Sequence, residues 1–347
     1  MTRCGSTPRT SFCAASWLLT AALAFAGLSG CSAIASLRES LFGTIEPGSG
    51  GLAPGATATT LTPVVLGRPL QSAVDPAPAA TPTHVVVVGD TGENDADQWA
   101  VAKAMYARCR AERCDAFLHA GDIIYPSGIR SKHDPVLRSH FVEQAVAVGA
   151  PTWLTLGNHD YQGSPDAWID AFGDAPVAGA PDVHFPARYY TTTLAGIRLV
   201  AIDTNRLDES QGRWLDSVLA ESTHAGERWV IVLGHHPWIS GGRHGDAPRE
   251  VARWYASHLC GKVDVFFAGH DHDKQILRPE CDILLVVTGA GSKLRAVSRT
   301  DRTLFVASTL GFADFVLAGD DATLRFYDVQ GRAEIVQPLQ RRPRTGP

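Results

Sequence analysis

The fold class is indicated by residues 84–90, His84-Val85-Val86-Val87-Val88-Gly89-Asp90. Four consecutive valines that end in Gly-Asp are typical of a strand buried on both faces, and such strands occur in sheets covered by helices on each side. The next segment, from Asp95 to Arg108, has apolar residues at helical spacing. We therefore predict an α/β domain that begins at this strand.

The same arrangement repeats twice downstream. Ala116–Ala120 and Thr152–Leu156 are short apolar runs typical of buried strands, and a predicted helix over Pro135–Val148 separates them. Each of the three strands is followed by a polar motif: Gly89–Asp90, Gly121–Tyr125 (GDIIY) and Gly157–Asp160 (GNHD). In open α/β sheets, ligands bind at the carboxyl ends of the strands, so these motifs mark a candidate site.

Two later strands end in histidines rather than carboxylates. The predicted strand Trp229–Leu233 leads into GHHP, and Val263–Phe267 leads into Gly269–His272 (GHDH). The other predicted elements are strands at 187–193 and 197–202, helices at 211–221 and 249–259, and antiparallel strands at 283–287, 304–308, 312–317 and 322–327.

The five strand ends share one chemical property, which is that each carries an oxygen or nitrogen donor that metals use. Any one Asp or His at such a position is most often a turn cap or a loop residue. Five of them at the ends of neighbouring strands predict a metal site instead. Because the donors exceed one coordination sphere, we predict two metal ions that share a bridging carboxylate.

Taken in order, the five motifs resemble those of the calcineurin-like metallophosphoesterases and, within them, the small, tartrate-resistant-like purple acid phosphatases. The resemblance covers residues 84–290, and Tyr125 is its discriminating element, because generic members of the superfamily lack this tyrosine. In purple acid phosphatases it binds ferric iron and gives the colour. The implied fold is a four-layer α/β/β/α sandwich with two mixed β-sheets.

The resemblance also implies a set of metal ligands. The ferric ion, Fe(III), would bind Asp90, Asp122, Tyr125 and His272. A divalent Fe, Zn or Mn ion would bind Asp122, Asn158, His235 and His270. In this scheme Asp122 bridges the two ions.

The implied activity is that of an acid phosphatase, which hydrolyses phosphate monoesters by attack of a hydroxide held by the metals. A phosphodiesterase or nucleotide hydrolase with the same centre is the alternative, and a non-catalytic metal- or phosphate-binding protein is a third reading. We expect small-molecule phosphate esters or phosphoproteins as substrates and a monomeric protein. A net charge of −5 argues against nucleic-acid binding.

Residues around the predicted ligands have implied roles in binding and catalysis. His159 would act as an acid or bind phosphate, and His244 would be a second catalytic histidine unless it is a solvated loop residue. Arg243 stands where the small enzymes usually have an acidic residue and would bind a phosphate or carboxylate. His236 would line the pocket or pack against Pro237. The predicted substrate contacts are Asn158, His159, His236 and Arg243.

One further polar residue ends the third motif. Asp160 directly follows His159 in the sequence. We expect its carboxylate to bond the backbone of His159 or to orient a metal ligand.

The N-terminus has the features of a targeting segment. Arg3 and Arg9 precede an apolar run, Trp17–Leu28, that is too short to span a bilayer comfortably. The sequence ending at Cys31 resembles a bacterial lipoprotein signal, which implies lipidation of this cysteine, whereas an ordinary secretory signal or an uncleaved anchor is the alternative. Ser32 favours sorting to the outer membrane, with the domain in the periplasm or exposed outside.

Composition then suggests four segments. Residues 1–30 are the predicted signal peptide, 31–80 a flexible Pro/Gly/Ala-rich tether, 81–335 the metallophosphoesterase domain and 336–347 a C-terminal tail. The predicted domain contains four cysteines, and an even number in an exported protein suggests disulfides. Closeness in sequence favours Cys109–Cys114 and Cys260–Cys281, with buried free thiols as the alternative.

Overall fold

The computed structural model describes residues 39–40, 58–66, 81–173, 177, 179–180, 182–220 and 227–341. The predicted signal peptide, Cys31 and most of the predicted tether lie outside these described residues. Within the described ranges, no helix combines the length and apolar character that crossing a bilayer requires.

Sixteen strands and six helices that lie within the described residues are numbered here in chain order. The strands are β1 (Thr59–Thr60), β2 (Val64–Leu66), β3 (Thr83–Val88), β4 (Ala116–Ala120), β5 (Thr152–Thr155), β6 (Val183–His184), β7 (Tyr190–Leu194), β8 (Ile197–Ala201), β9 (Trp229–Leu233), β10 (Val265–Ala268), β11 (Lys274–Glu280), β12 (Ile283–Thr288), β13 (Thr303–Ala307), β14 (Gly311–Ala318), β15 (Asp321–Asp328) and β16 (Ala333–Arg341). The helices are α1 (Ala96–Ala111), α2 (Pro135–Leu137), α3 (Glu143–Val148), α4 (Pro165–Phe172), α5 (Glu209–Ala220) and α6 (Arg249–Leu259), and a π-helical turn (Arg138–Val142) joins α2 to α3.

The described strands form two mixed sheets. The first sheet has the order β1-β16-β15-β14-β3-β4-β5-β6, with β2 also paired to β16. The second sheet has the order β13-β11-β12-β10-β9-β8-β7. Strands β3 to β6 are parallel, as are β8, β9, β10 and β12, whereas the other pairings between long strands are antiparallel.

The valine run of β3 is buried on both faces, as its composition predicts. Val87 lies in the core between the two sheets, together with Ile231 of β9. Val86, which points the opposite way, packs with Met105 of α1 on the outside of the first sheet. Because both faces of β3 are buried, its valines follow one another without the period-two alternation of a half-exposed strand.

Helices cover the outer faces of both sheets. Phe141 and Trp168, from the π-helical turn and α4, join a core on the side of the first sheet. Leu215 of α5 and Tyr255 of α6 pack with Phe266 of β10 on the second sheet. The order of layers is thus helix, sheet, sheet, helix, and the predicted four-layer α/β/β/α sandwich with two mixed sheets is confirmed.

Both predicted boundaries of the domain are wrong in detail. Thr59 of β1 lies opposite Ile335, and Val64 of β2 lies opposite Leu339, so part of the predicted tether belongs to the first sheet. Strand β16 itself continues to Arg341, inside the predicted tail. Strands of two and three residues are too short to show periodicity, so only their tertiary pairing with β16 defines them.

Several elements of the domain differ from the prediction. Strand β12 was predicted to be antiparallel, but it runs parallel to β10 and antiparallel to β11. Strand β11, together with α4, β6 and β16, was not predicted at all. The sequence of β11 (KQILRPE) mixes charged residues with a proline, a composition that does not indicate a strand.

The predicted disulfides are both present. Cys109 at the end of α1 is bonded to Cys114 before β4, with their Cα atoms 4.9 Å apart. Cys260 after α6 is bonded to Cys281 in the turn between β11 and β12, with a Cα separation of 5.5 Å. The prediction from closeness in sequence is therefore confirmed.

Candidate metal centre

The carboxyl ends of strands from both sheets meet at one edge of the sandwich. The first sheet contributes the oxygen donors, which are Asp90, Asp122, Tyr125 and Asn158. The second sheet contributes the nitrogen donors, which are His235, His270 and His272. The structure thus brings together residues that are as far apart in sequence as 90 and 272.

One group of donors surrounds the phenol oxygen of Tyr125. This oxygen lies 3.1 Å from Asp90 Oδ1, 3.1 Å from Asp122 Oδ2 and 3.2 Å from His272 Nε2. Octahedral coordination with bonds of about 2.1 Å places adjacent ligand atoms about 3.0 Å apart. The Tyr125 oxygen therefore already lies from each of the other three donors at about the spacing of adjacent ligands around a single ion.

A second group of donors surrounds His235. Its Nε2 atom lies 3.2 Å from Asn158 Oδ1 and 3.5 Å from Asp122 Oδ1, and its ring centroid lies 5.1 Å from that of His270. The two oxygens of Asp122 thus face different donor groups. This is the arrangement that a carboxylate bridging two ions requires, and the residues present fit a dinuclear centre.

Hydrogen bonds from the backbone orient these ligands. The Nδ1 atom of His235 lies 2.8 Å from the carbonyl oxygen of Ala120, which can only accept, so Nδ1 carries the proton and Nε2 is left for a metal. The second oxygen of Asp90, Oδ2, accepts the N–H of His270 at 2.8 Å. In both cases, the backbone of a segment that carries another candidate ligand orients the side chain.

The backbone at three ligands is strained. Asp90, Asp122 and His270 have φ angles of 60°, 50° and 70°, a left-handed conformation that side chains other than glycine rarely adopt. Neighbouring glycines make the close approach possible. A Cβ atom at Gly157 would lie 2.0 Å from Asp122 Oδ1, so the Gly-Asn order of the third motif is sterically required.

Electrostatics in the site disfavour every charged form. Burial raises the pKa of Asp90 well above its usual value, and the carboxyl of Asp122 raises it further. Burial is likewise the main cause of the raised pKa values of Asp122 and Tyr125. It also lowers the pKa of His272 to about 4. A bound cation supplies the positive charge that ionised carboxylates and a phenolate need here.

His159 lies at the edge of this centre. Its Nδ1 atom is 2.6 Å from the carbonyl oxygen of Pro126, and its ring centroid is 4.6 Å from that of Tyr125. Because the carbonyl accepts, Nδ1 carries a proton and fixes the ring, which leaves Nε2 free to meet a substrate. The predicted role of His159 in binding or proton donation is compatible with this position.

The two remaining predicted histidines also lie beside the metal ligands. The ring of His244 is exposed and stacks on that of His270 with centroids 4.0 Å apart. The ring of His236 lies 4.5 Å from that of His270, and its Nδ1 is 2.9 Å from Thr204 Oγ1. Arg243 is exposed, and within the described residues its side chain has no hydrogen bond or ion pair.

Two residues that support the site were missed at the sequence level. The buried carboxylate of Asp271 accepts the backbone N–H of His244 at 2.9 Å, lies 3.1 Å from His244 Nδ1 and bonds the hydroxyl of Ser240. The hydroxyl of Thr204 accepts the backbone N–H of His236 at 3.0 Å. Asp271 stands inside the GHDH motif, but Thr204 has no sequence signal.

Of the two alternatives expected for Asp160, the bond to the backbone of His159 is wrong. The carboxylate of Asp160 does not bond the backbone of His159, whose N–H donates to Asp122 Oδ1 at 2.9 Å. It instead accepts the N–H groups of Ile123, Ile124 and Gly157 at 3.1, 3.2 and 2.8 Å. Asp160 is the first residue of a short 3-10 helix, Asp160–Gln162. Asp160 therefore ties the second motif to the third.

Comparison with known proteins agrees with this geometry. Residues 83–274 match the model of the calcineurin-like phosphoesterase family, which is more than half of the chain. Purple acid phosphatase 17 of Arabidopsis thaliana is 27% identical over 297 residues, which cover 77% of this chain and 87% of the relative. Tartrate-resistant acid phosphatase type 5 of Mus musculus is 25% identical over 312 residues, which cover 77% and 93%.

A solved structure supports the same fold. The purple acid phosphatase from yellow lupin (Lupinus luteus) seeds superposes with a TM-score of 0.62 at 18% identity, covering 77% of this chain and 55% of that one. This similarity shows a common fold, that is, the same arrangement of helix and sheet layers in the two proteins. Family match, relatives and fold together confirm the resemblance seen in the motifs: the chain belongs to the calcineurin-like phosphoesterases, has purple acid phosphatases among its relatives, and is a phosphoesterase with a dinuclear metal site.

Proposed function

We propose that this protein is an acid phosphatase that hydrolyses phosphate monoesters at a centre of Fe(III) and a divalent Fe, Zn or Mn ion. The observation that carries the proposal is the phenol of Tyr125 within 3.2 Å of both carboxylates and His272. Phenolate and carboxylate are hard anionic donors that suit a trivalent ion. The imidazoles and the amide oxygen of the second group suit a divalent one.

The side chains around the centre have separate proposed roles in catalysis and substrate binding. When bound, two metal ions polarise the phosphoryl oxygens and lower the pKa of water. His159 lies on the Tyr125 side, where its Nε2 can donate a proton to the departing oxygen of the substrate when the ring is in its protonated, imidazolium form. His244 lies on the opposite side against His270, and Asp271 fixes its orientation. Arg243 extends from the same loop toward solvent, where it can contact an anionic part of the substrate.

Substrate preference separates this proposal from its two alternatives. Purified, metal-loaded protein is assayed with p-nitrophenyl phosphate and with bis(p-nitrophenyl) phosphate from acidic to neutral pH. We expect the monoester to have the larger kcat/KM. Equal or faster turnover of the diester supports the phosphodiesterase alternative instead. Stoichiometric metal without hydrolysis of either compound supports a binding protein.

The Tyr125→Phe variant tests the iron assignment. Because the phenolate is the proposed source of colour, we expect the iron-loaded wild-type protein to absorb visible light and the variant to lose this band while it retains metal. Absorption spectra and metal analysis of the same samples provide the measurement. Tyr161→Phe is the matched control, since the hydroxyl of Tyr161 bonds Asp203 instead. A colourless iron-loaded wild type contradicts the proposal.

The location of the protein is a separate proposal, which rests on the sequence ending at Cys31. We propose that a lipid on this cysteine anchors the domain to a bacterial envelope membrane, with the outer membrane as the expected site and the domain in the periplasm or exposed outside. In a bacterial host, the Cys31→Ala variant should then move from the membrane fraction to the soluble fraction on cell fractionation. Unchanged membrane retention argues against lipidation.

A further inference from the structure

A lysine lies over the ring of Tyr125. The Nζ atom of Lys293 is 4.4 Å from the ring centroid, within the range of a cation–π interaction. The same ammonium forms an ion pair with the carboxylate of Glu93. Lys293 follows β12 in the second sheet, and Glu93 follows β3 in the first. Neither residue belongs to the five motifs, and no role described so far uses them.

The loop that carries Lys293 is fastened to the ligand loops on both sides of this residue. The hydroxyl of Ser292 donates to the carbonyl oxygen of Asp90 at 2.8 Å. The N–H of Arg295 donates to the carbonyl oxygen of His272 at 2.9 Å. The backbone of Lys293 is thereby fixed relative to two neighbours of the Tyr125 hydroxyl. The side chain is partly exposed, and its ammonium is held over the ring by the ion pair with Glu93.

Several charged or titratable groups face Tyr125, and they act on different parts of it. Asp90, Asp122 and His272 surround the hydroxyl oxygen. The ring itself is contacted by His159, with a centroid distance of 4.6 Å, and by Lys293. Of these groups, only Lys293 places a permanent positive charge over the ring. The carboxylate of Glu93, which is paired with this ammonium, offsets part of that charge.

We propose that Lys293 is a positioning residue that controls how strongly Tyr125 holds its electron density as a metal ligand, and that Glu93 sets the extent of this control. The inference rests on the proposed function, because it concerns Tyr125 as a phenolate bound to ferric iron. Visible absorption of such a pair moves electron density from the ring to the metal. A cation over the ring attracts that density, since opposite charges interact strongly at short range. It therefore raises the energy of the transition.

Two substitutions should shift the visible band in opposite directions. Lys293→Met removes the cation and keeps a side chain of similar length, so the absorption maximum should move to longer wavelength. Glu93→Gln leaves the ammonium unbalanced, so the maximum should move to shorter wavelength. Lys293→Arg retains the charge over the ring and should stay near the wild-type position. Loss of packing alone does not produce shifts of opposite sign.

The experiment compares iron-loaded wild type and variants by absorption spectroscopy, with circular dichroism to verify folding and metal analysis to verify loading. Lys132→Met, at an exposed lysine of the loop before α2, is the matched control and should leave the band unmoved. A visible band that stays fixed in both Lys293→Met and Glu93→Gln overturns the inference. So does an unmoved band combined with a raised KM for p-nitrophenyl phosphate, which assigns Lys293 to substrate binding. A colourless wild type instead removes the iron–phenolate assignment, and the inference falls with it.

Discussion

Replacement of Asp122 by Asn is expected to eliminate metal binding and to lower kcat/KM for a phosphate monoester roughly 10³-fold or more. The two oxygens of Asp122 face different donor groups, with Oδ2 3.1 Å from the Tyr125 hydroxyl and Oδ1 3.5 Å from His235 Nε2. An amide has nearly the same shape but neither the negative charge nor the second oxygen. One substitution therefore removes the bridge between the two ions and the negative charge that both of them need.

Metal content and kinetics of the Asp122→Asn variant are measured on the same preparation. Asp216→Asn is a suitable control, because Asp216 pairs with Lys262 and His258 away from the metal ligands. The control should keep wild-type metal content and activity. Retention of two ions per chain by Asp122→Asn means that this residue does not bridge them.

The second large effect is expected at Asp160, which binds no metal in our scheme. Asp160→Ala removes the acceptor of three buried backbone N–H groups, those of Ile123, Ile124 and Gly157. Each unsatisfied buried donor costs about 1–3 kcal/mol, so the free energy of unfolding should fall by about 3–5 kcal/mol. Urea unfolding measured with a chelator present isolates this term from the contribution of metal.

Asp160→Asn and Asp166→Ala complete that test. Asp160→Asn keeps one oxygen acceptor and should lose less stability than the alanine variant. Asp166 is exposed, with an ion pair to Arg188, so its replacement should change stability by less than about 1 kcal/mol. If Asp160→Ala and the wild type have equal unfolding curves, the hydrogen bonds of Asp160 between the two loops do not stabilise the fold.

The sequence predicts those parts of the fold that are encoded locally. The valine run of β3 and the strand Trp229–Leu233 are continuous apolar segments, and helix α6 has clear periodicity over Arg249–Leu259; each is found where it was predicted. Strands β1 and β2 could not be predicted in this way, because pairing with a distant segment is all that makes them strands. The charged strand β11 was missed for a similar reason.

The same distinction applies to the site. The seven candidate ligands occur in motifs at strand ends, where the fold brings side chains together, and the family resemblance of these motifs implies their roles. Residues that act on those ligands from other segments have no such pattern. Thr204 and Lys293 are placed by the docking of loops, and the contacts of Asp160 depend on the direction of a short turn. Only tertiary structure shows what these residues touch.

The division of donors between the two sheets has a consequence for the order in which the protein becomes functional. During synthesis, the oxygen donors emerge first, up to Asn158, and the nitrogen donors emerge only from His235 onward. A chain that has emerged only as far as Asn158 offers oxygens without the three candidate histidine ligands, which is an incomplete set for either proposed ion. We therefore expect a complete centre only after His272 has been synthesised and the strands of both sheets have come together.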